Sequence, residues 1–423
     1  MLPEAAQLTA SQRQIQRQVL AFITAHRRDG EAAVFALEGD AGTGKSALLS
    51  AVFSAVQKQA RSTGGALAGT TNRLLVNHNE MLKIYWEVAS QAQWLRKADF
   101  QKPTPFINAR RKADIVFIDE AQLLLSQPDP FNRFRQNNQL TEILKLAHVV
   151  VLVLDLHQVT KLKSLWTPAM IKQTLAGHVV ERAGMTGQLR MQSPAAAAWV
   201  DAFASGQLLP LPHPVNYQLR VFEDGVPLYD WIKQMDRQHG LARVLATADF
   251  PFRVYTKEPW YVQAGKLRLP WDRVNFTDRP WASQPQTLNE VGSIYTIQGF
   301  DLNYAGVILG PCVDYDAKTD RITIDPARFE DQTAFRRRPD GTDSAADRTA
   351  IIFDVINILL KRGRMGLGLY AVNQALRQRL RADREKYGNN LEDPDSLARD
   401  IAHWVSDRYA GRPNARGGVY EAG

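Results

Sequence analysis

Apolar positions first recur at helical spacing, with Ile15, Val19, Leu20 and Ile23 on one face of residues 9–28, before the charged stop HRRDGE. This predicts a helix leading into the run AVFALEG. That run is continuously apolar, as a strand is when helices cover both faces of a parallel sheet. Two similar runs follow, ADIVFIDE and VVVLVLDL, separated by helix-like segments. Such alternation predicts right-handed βαβ units. A second alternation begins near residue 185, with helix-like PAAAAWVDAFA and TAIIFDVINILLK and strand-like SIYTI, AGVILG and LGLYAVN. The pattern predicts an α/β protein with parallel sheets in two domains, residues 1–184 and 185–385. Residues 250–285, rich in Pro, Trp and basic side chains, interrupt the second alternation and read as an inserted or elaborated hairpin region. From residue 386 to 423 the chain is a polar, charged tail, in which LARDIAHWVSDRY has the pattern of one amphipathic helix.

At 423 residues the chain exceeds one ordinary core, in keeping with two domains. The 52 Lys+Arg against 44 Asp+Glu leave a formal charge of +8, which favours a polyanionic partner without identifying one. A single cysteine, Cys312, excludes an intrachain disulfide framework and fits a reducing compartment. Its simplest reading is a small buried apolar residue. The start MLPEAAQLTA lacks a basic segment followed by an apolar run, and no stretch of about 18 apolar residues occurs. The expectation is a soluble, cytoplasmic protein with no membrane partner.

Between the first apolar run and the helix-like ALLSAVFSAV lies Gly39-Asp-Ala-Gly42-Thr43-Gly44-Lys45-Ser46. Glycines at this spacing let the backbone curl so that successive N–H groups and the following helix N-terminus face phosphate oxygens. Lys45, expected on an exposed loop, would neutralise the β and γ phosphates of ATP, and Ser46 would hold Mg²⁺. The run ending Ile118-Asp119-Glu120 places two carboxylates at a strand's carboxyl end, beside a nucleotide crevice. Asp119 is placed to bind Mg²⁺ through water, and Glu120 to orient or deprotonate an attacking water.

Several further segments carry a resemblance. Asp119-Glu120-Ala121-Gln122 looks like the DEAQ/DEAH signature of helicase-like ATPases. Leu154-Asp155-Leu156-His157-Gln158 resembles the superfamily 1 motif hhhGDxxQ, with Leu154 in place of the glycine, and Gln188-Leu189-Arg190 resembles the QxR element. The segment from Gly292 to Asp301, with Thr296, Gln298 and Gly299, resembles TxxxxQGxE, Asp301 replacing the customary Glu. Lys361-Arg362-Gly363-Arg364 looks like the TRGR motif, with Lys361 where Thr is usual. Leu8-Thr9-Ala10-Ser11-Gln12 is similar to the adenine-reading glutamine motif. In this order, over residues 8–380, they resemble superfamily 1 helicase-like P-loop ATPases. Most of all they resemble a bacterial helicase-like family of undetermined function related to the Schlafen helicase-like domain.

That resemblance implies two RecA-like domains, with ATP and Mg²⁺ as cofactors. It implies roles in catalysis for Lys45, Glu120, Gln158, Arg190, Arg362 and Arg364, with Gln158 sensing the γ-phosphate. Arg362 is the first choice for an arginine finger and Arg364 the second. Nucleotide binding is implied for Gln12, Gly39, Gly42, Thr43, Gly44, Lys45, Ser46, Gln298, Gly299 and Asp301, and metal binding for Ser46 and Asp119. The implied function is a helicase or translocase on single-stranded DNA or RNA. A nucleotide-gated switch that captures a protein or RNA partner uses the same parts. A small-molecule kinase would leave Gln298-Gly299 and Arg362 without a role.

Nucleic-acid contacts are less legible. Phe252, Tyr255, Trp260, Tyr261, Trp271, Phe276 and Trp281 interleave with Arg253, Lys257, Lys266, Arg268, Arg273 and Arg279. Such interleaving suits base stacking with cations along phosphates. It equally suits a hydrophobic hairpin packed on the second domain, the favoured reading for any single aromatic. Thr70, Thr71, Asn72 and Arg73, expected after a second strand, and the cluster Arg336-Arg337-Arg338 are further candidates. There is no Cys/His metal cluster and no nuclease motif.

Overall fold

A computed structural model describes residues 8–39, 42–155, 161–164, 166–185, 189–253, 259–335 and 344–387. Gln158, Gln188, Tyr255, Lys257, the Arg336–Arg338 cluster and the tail segment LARDIAHWVSDRY lie outside the described residues. The chain divides into two compact units, Met1–Gly187 and Gln188–Gly423.

In unit one the elements run α1 (Ala10–His26), β1 (Ala33–Gly39), α2 (Lys45–Ala60), β2 (Asn72–Val76), α3 (Asn79–Gln91), β3 (Phe100–Gln101), α4 (Pro103–Ala109), β4 (Ala113–Asp119), α5 (Gln139–Leu144), β5 (Ala147–Leu154), α6 (Pro168–Thr174) and β6 (Val180–Met185). The sheet order is β3-β2-β4-β5-β1-β6, every pair parallel. Successive side chains of a strand point to opposite faces, and both faces are covered. Phe35 and Leu37 pack with α1, α2 and α3, whereas Val34 and Ala36 pack with α4, α5 and α6. That is why these strands read as unbroken apolar runs. Thr9 opens α1 with a capping box, its hydroxyl accepting from the Gln12 amide while Gln12 returns the bond to Thr9.

Unit two runs α7 (Pro194–Phe203), β7 (Gln218–Val221), α8 (Gly225–His239), β8 (Ala242–Ala246), β9 (Tyr261–Ala264), β10 (Leu267–Pro270), β11 (Val291–Gly292), α9 (Ile294–Ile297), β12 (Leu302–Leu309), β13 (Val313–Asp316), β14 (Arg321–Ile324), α10 (Ala345–Leu360), β15 (Gly363–Ala371) and α11 (Gln374–Tyr387). Its five-stranded sheet, β11-β8-β12-β15-β7, is also wholly parallel. Two antiparallel hairpins, β9–β10 and β13–β14, stand apart from it.

Two expectations change. The strand-like SIYTI is a single helical turn, α9, opened by a capping box between Ser293 and Thr296. Strand pairing stops at Gly292 because the Ser293 hydroxyl, bonded to the Tyr295 amide, turns the chain. Thr70 to Arg73 do not follow the second strand: β2 begins at Asn72. Thr71 bonds Asp114 through its amide and hydroxyl, and buried Asn72 donates to Gln57 and to the Thr70 hydroxyl. These side chains close the start of β2 and do not stand at its carboxyl end.

The turn at Gly292 supplies a stability test. A Cβ there would lie 2.6 Å from the ring of buried Trp281 and 2.7 Å from the Thr296 hydroxyl. Gly292→Ala is expected to destabilise the protein by about 1–3 kcal/mol, the usual cost of overpacking, read by urea or thermal unfolding. An unshifted transition would mean that the Trp281 contact is slack.

Candidate functional site

The parallel order puts β5 between β1 and β4, so the carboxyl ends of three adjacent strands meet. At the end of β1, Gly39 is required by close approach: a Cβ would fall 2.6 Å from the Met185 carbonyl of β6. Gly42 and Gly44 have φ of 87° and 84°, the left-handed region that favours glycine. Gly44 is the N-cap of α2 and supplies no side-chain bond, so the first amides of a 16-residue helix are left to an incoming acceptor.

Lys45 is buried, at 8% exposure, and so does not stand on an exposed loop. Its ammonium donates to the Gly39 carbonyl and, at 3.1 Å, to the Asp155 carboxylate just past β5. Next along the helix, the Ser46 hydroxyl donates to Asp119 Oδ1 at 3.2 Å. Asp119 ends β4 and is fully buried. Its second oxygen accepts from the Tyr85 hydroxyl at 2.6 Å, and the Glu120 amide donates to Oδ1 at 3.0 Å. Burial pushes the Asp119 carboxyl above the usual range, against the pull of those three donors and of the Lys45 charge. Burial, and then the neighbouring Asp119 charge, also drive the Tyr85 hydroxyl well above its ordinary value.

Glu120 sits in the left-handed region, φ 50°, where a non-glycine residue is unusual. The Gln122 side-chain amide donates to the Glu120 carboxylate, while its carbonyl accepts from the Asp155 amide at 3.2 Å. One amide thus ties the end of β4 to the end of β5. From α1, the Gln12 side chain donates to the Thr43 carbonyl at 3.4 Å. Sequence reasoning does not single out Tyr85, Gln122 or Asp155 as site residues. Asp155 and Gln122 do carry a sequence signal, because both lie inside the helicase-like motifs. Tyr85 carried none beyond an aromatic on an amphipathic helix; it stacks on Phe100 with ring centroids 5.2 Å apart.

The donor set suits a nucleotide with Mg²⁺. Amides of the loop and of α2 can receive phosphate oxygens. A serine hydroxyl beside a buried carboxylate is a small, all-oxygen set for an ion that keeps several waters. Among the described residues no group of three or more His, Cys, Asp or Glu forms a closed metal cage.

Unit two brings together a second group. Arg190 Nε lies 2.6 Å from Asp301 Oδ1, and Arg362 Nη1 lies 4.0 Å from the same oxygen. The Gln192 amide donates to the Arg364 carbonyl at 2.9 Å, fixing the Arg190 segment beside the start of β15. Arg362 is buried, donating to the carbonyls of Ile358 and Phe300 at 2.9 and 3.3 Å, whereas Arg364 is exposed. Lys361 pairs with Asp201. Gln298 caps α9, is 1% exposed, and its Nε2 has no hydrogen-bond partner among the described residues. Gly299 takes φ 82° to make the turn into β12.

Parallel α/β units with a glycine-rich phosphate loop and paired carboxylates define a helicase-like P-loop fold. A family model described as Schlafen group 3, DNA/RNA helicase domain, matches residues 32–373. A Saccharomyces cerevisiae protein described as uncharacterized is 35% identical over 413 residues, covering 88% of this chain and 90% of that protein. The chain belongs to the Schlafen group 3 DNA/RNA helicase-domain family. The narrower expectation of a bacterial family draws no support from a yeast relative. Among solved structures, an arterivirus nonstructural protein 10 helicase in complex with DNA is 13% identical, with 86% of this chain and 65% of that chain covered and a TM-score of 0.34. A DEAD box protein from Methanococcus jannaschii is 11% identical, covering 91% of this chain and 96% of that chain with a TM-score of 0.28. No helix among the described residues is long and apolar enough to cross a membrane.

The raised Asp119 carboxyl gives a signed prediction. A buried acid whose folded pKa is raised adds no penalty below its unfolded pKa, and its ionisation costs stability as pH rises through the folded value. At neutral pH, Asp119→Asn is therefore expected to raise the thermal midpoint of the ligand-free protein and to abolish any added stabilisation by Mg²⁺ in the presence of ADP. A lowered midpoint without ligand would mean that the ionised carboxylate holds the site together.

Proposed function

We propose that this protein is an ATP hydrolase that couples turnover to movement on nucleic acid, a helicase or translocase working on single-stranded DNA or RNA in the cytoplasm. The observation that supports it most is the shared clamp on Glu120 and Asp155. A single side chain, Gln122, orients the carboxylate suited to activating water and also the strand end whose own carboxylate holds the phosphate-binding lysine. That linkage suits hydrolysis that reports the state of the terminal phosphate.

In this reading the loop amides with Gly39, Gly42, Thr43, Gly44, Lys45 and Ser46 bind the ATP phosphates, and Gln12 contributes from α1. Lys45 leaves Asp155 for the β and γ phosphates. Ser46 and Asp119 hold Mg²⁺, which when bound shields phosphate charge and fixes its orientation. Glu120 takes the proton of the attacking water. Gln158, just beyond β5, is assigned to sensing the γ-phosphate. Arg362 is assigned as the finger and Arg190 as its support, with Asp301 holding both arginines in place. Gln298 and Gly299 are assigned to nucleotide binding, the Gln298 side-chain amide having no hydrogen-bond partner among the described residues. Loss of the γ-phosphate removes a ligand that favours one state of the protein, and its rebinding resets the cycle.

Lys45→Ala is expected to abolish hydrolysis and also to cost about 3–5 kcal/mol of stability, because it leaves Asp155 buried without that cation. The double variant Lys45→Ala with Asp155→Asn should recover most of the stability and none of the activity. Full turnover in either variant would refute the site. Arg362→Ala is expected to lower kcat by about 10³-fold with little change in ATP affinity, as for a finger. Its thermal midpoint should also fall, whereas exposed Arg364→Ala should leave the midpoint in place. Unchanged turnover in Arg362→Ala would move the finger to Arg364 or Arg190.

The coupling itself is tested by steady-state ATP hydrolysis with Mg²⁺, with and without single-stranded DNA and RNA, at low and moderate salt. Stimulation by one polymer that fades with salt is the expected result and names the track. Hydrolysis indifferent to both would replace the motor with a nucleotide-gated switch acting on a protein partner.

A further inference from the structure

The aromatic and basic interval of unit two separates into two populations. Trp271 and Trp281 are buried, and their indole N–H groups donate to the Pro251 carbonyl and the Glu290 carboxylate at 3.2 and 3.3 Å. Tyr261 is covered by the Arg268 guanidinium 3.5 Å from its ring, and half-buried Phe252 packs against Trp271. These residues build the hairpin region. Phe276 stands apart at 81% exposure, on a loop whose two ends are the buried Trp271 and Trp281.

That loop is held firmly. Asn275 donates to the Arg279 carbonyl at 2.7 Å, and its side-chain oxygen accepts from the Thr277 amide, the Thr277 hydroxyl and the Gln284 side chain at 3.1, 2.8 and 3.1 Å. The adjoining Phe276 is therefore presented to solvent on a fixed backbone. Arg273 and Arg279, three residues to either side, are both exposed, and Arg273 pairs at 3.5 Å with Glu290. The base of the loop joins the chain that leads to Gln298 and Gly299. The Asp272 amide donates to the Val291 carbonyl at 2.9 Å, and the Ser293 hydroxyl donates to the Asp272 carboxylate.

We propose that Phe276, with Arg273 and Arg279, is a base-stacking contact for single-stranded nucleic acid, wired through Asp272 and Ser293 to the Gln298-Gly299 turn. An aromatic face stacks any unpaired base, and flanking guanidinium groups meet the phosphates on either side. Because the loop is already ordered, little conformational freedom is lost on binding. The proposal rests on the reading of the chain as a nucleic-acid motor and names one of the residues that grip the track.

The test is fluorescence anisotropy with labelled single-stranded DNA and RNA of about 20 nucleotides, long enough for one site, together with the fold stimulation of ATP hydrolysis by the same polymers. Phe276→Ala is expected to weaken binding by about 10-fold, within the range of one stacked base, and to raise the polymer concentration for half-stimulation equally. Phe276→Trp should retain both. The thermal midpoint of Phe276→Ala should not move, because the side chain is exposed. Arg273→Gln with Arg279→Gln should flatten the salt dependence of binding by about 0.7 per lost phosphate contact. If the unmodified protein binds and is stimulated while Phe276→Ala matches it, the stacking assignment is wrong and the motor reading stands. If the unmodified protein neither binds nor responds to either polymer, the motor reading fails and takes this contact with it.

Discussion

The ammonium group of Lys45 is held inside unit one by acceptors from two different strands, the Gly39 carbonyl ending β1 and the Asp155 carboxylate just beyond β5. A buried charge is tolerable only with such partners. Their convergence depends on β1 and β5 being adjacent and parallel in the register that sets Glu38 against Leu154. The same geometry sets β4 on the other side of β5, so that Asp119 and Glu120 arrive beside the loop. The Asp119 carboxylate then carries the electrostatic strain. Asp119 is ionised only at a cost imposed by burial, and Tyr85, Ser46 and the Glu120 amide reduce that cost without removing it.

Unit two uses the carboxyl ends of its strands differently. Just past β8, the Asp249 carboxylate accepts from the Thr247 hydroxyl at 2.5 Å and the Cys312 amide at 2.7 Å, and the Gly310 amide donates to Thr247 at 2.8 Å. A Cβ on Gly310 would lie 2.2 Å from Asp249, so this turn requires glycine. Burial pushes the Asp249 carboxyl up, and burial together with that carboxylate pushes the Cys312 thiol up. Here buried polar groups lock two strand ends to each other. The arginines gather elsewhere in the unit, at the start of β15 and around Asp301.

Placing Arg362 in a buried setting has a physical consequence for any role it plays. A guanidinium bonded to two backbone carbonyls has few rotamers open to it, so its position is set by α10 and by the Phe300 turn. Movement of that arginine then requires movement of those elements. The phosphate-loop side is built on the same principle, because the Gln122 side chain is hydrogen-bonded both to the Glu120 carboxylate and to the Asp155 amide just past β5.

Local chemistry was legible where it is encoded in consecutive residues. Unbroken apolar runs announced two-faced parallel strands, the glycine spacing announced the phosphate loop, and Asp119-Glu120 was readable as a strand end. Cys312 is the buried residue its solitary occurrence suggested. What the sequence could not determine were properties that depend on residues far apart in the chain. Burial of Lys45 comes from strand order, not from its loop. Tyr85 reaches Asp119 only because α3 packs over β4, 34 positions away in the chain. SIYTI has the composition of a strand, yet Ser293 and Asp272 turn it into a helical turn through a contact spanning 21 positions. Similarly, seven aromatics looked alike in sequence, and packing alone buried Trp271 and Trp281 while leaving Phe276 outside. Periodicity and motif spacing are local and survive in the one-dimensional chain. Burial, and with it the charge state and availability of each side chain, is a sum over neighbours that only the folded sheets bring together.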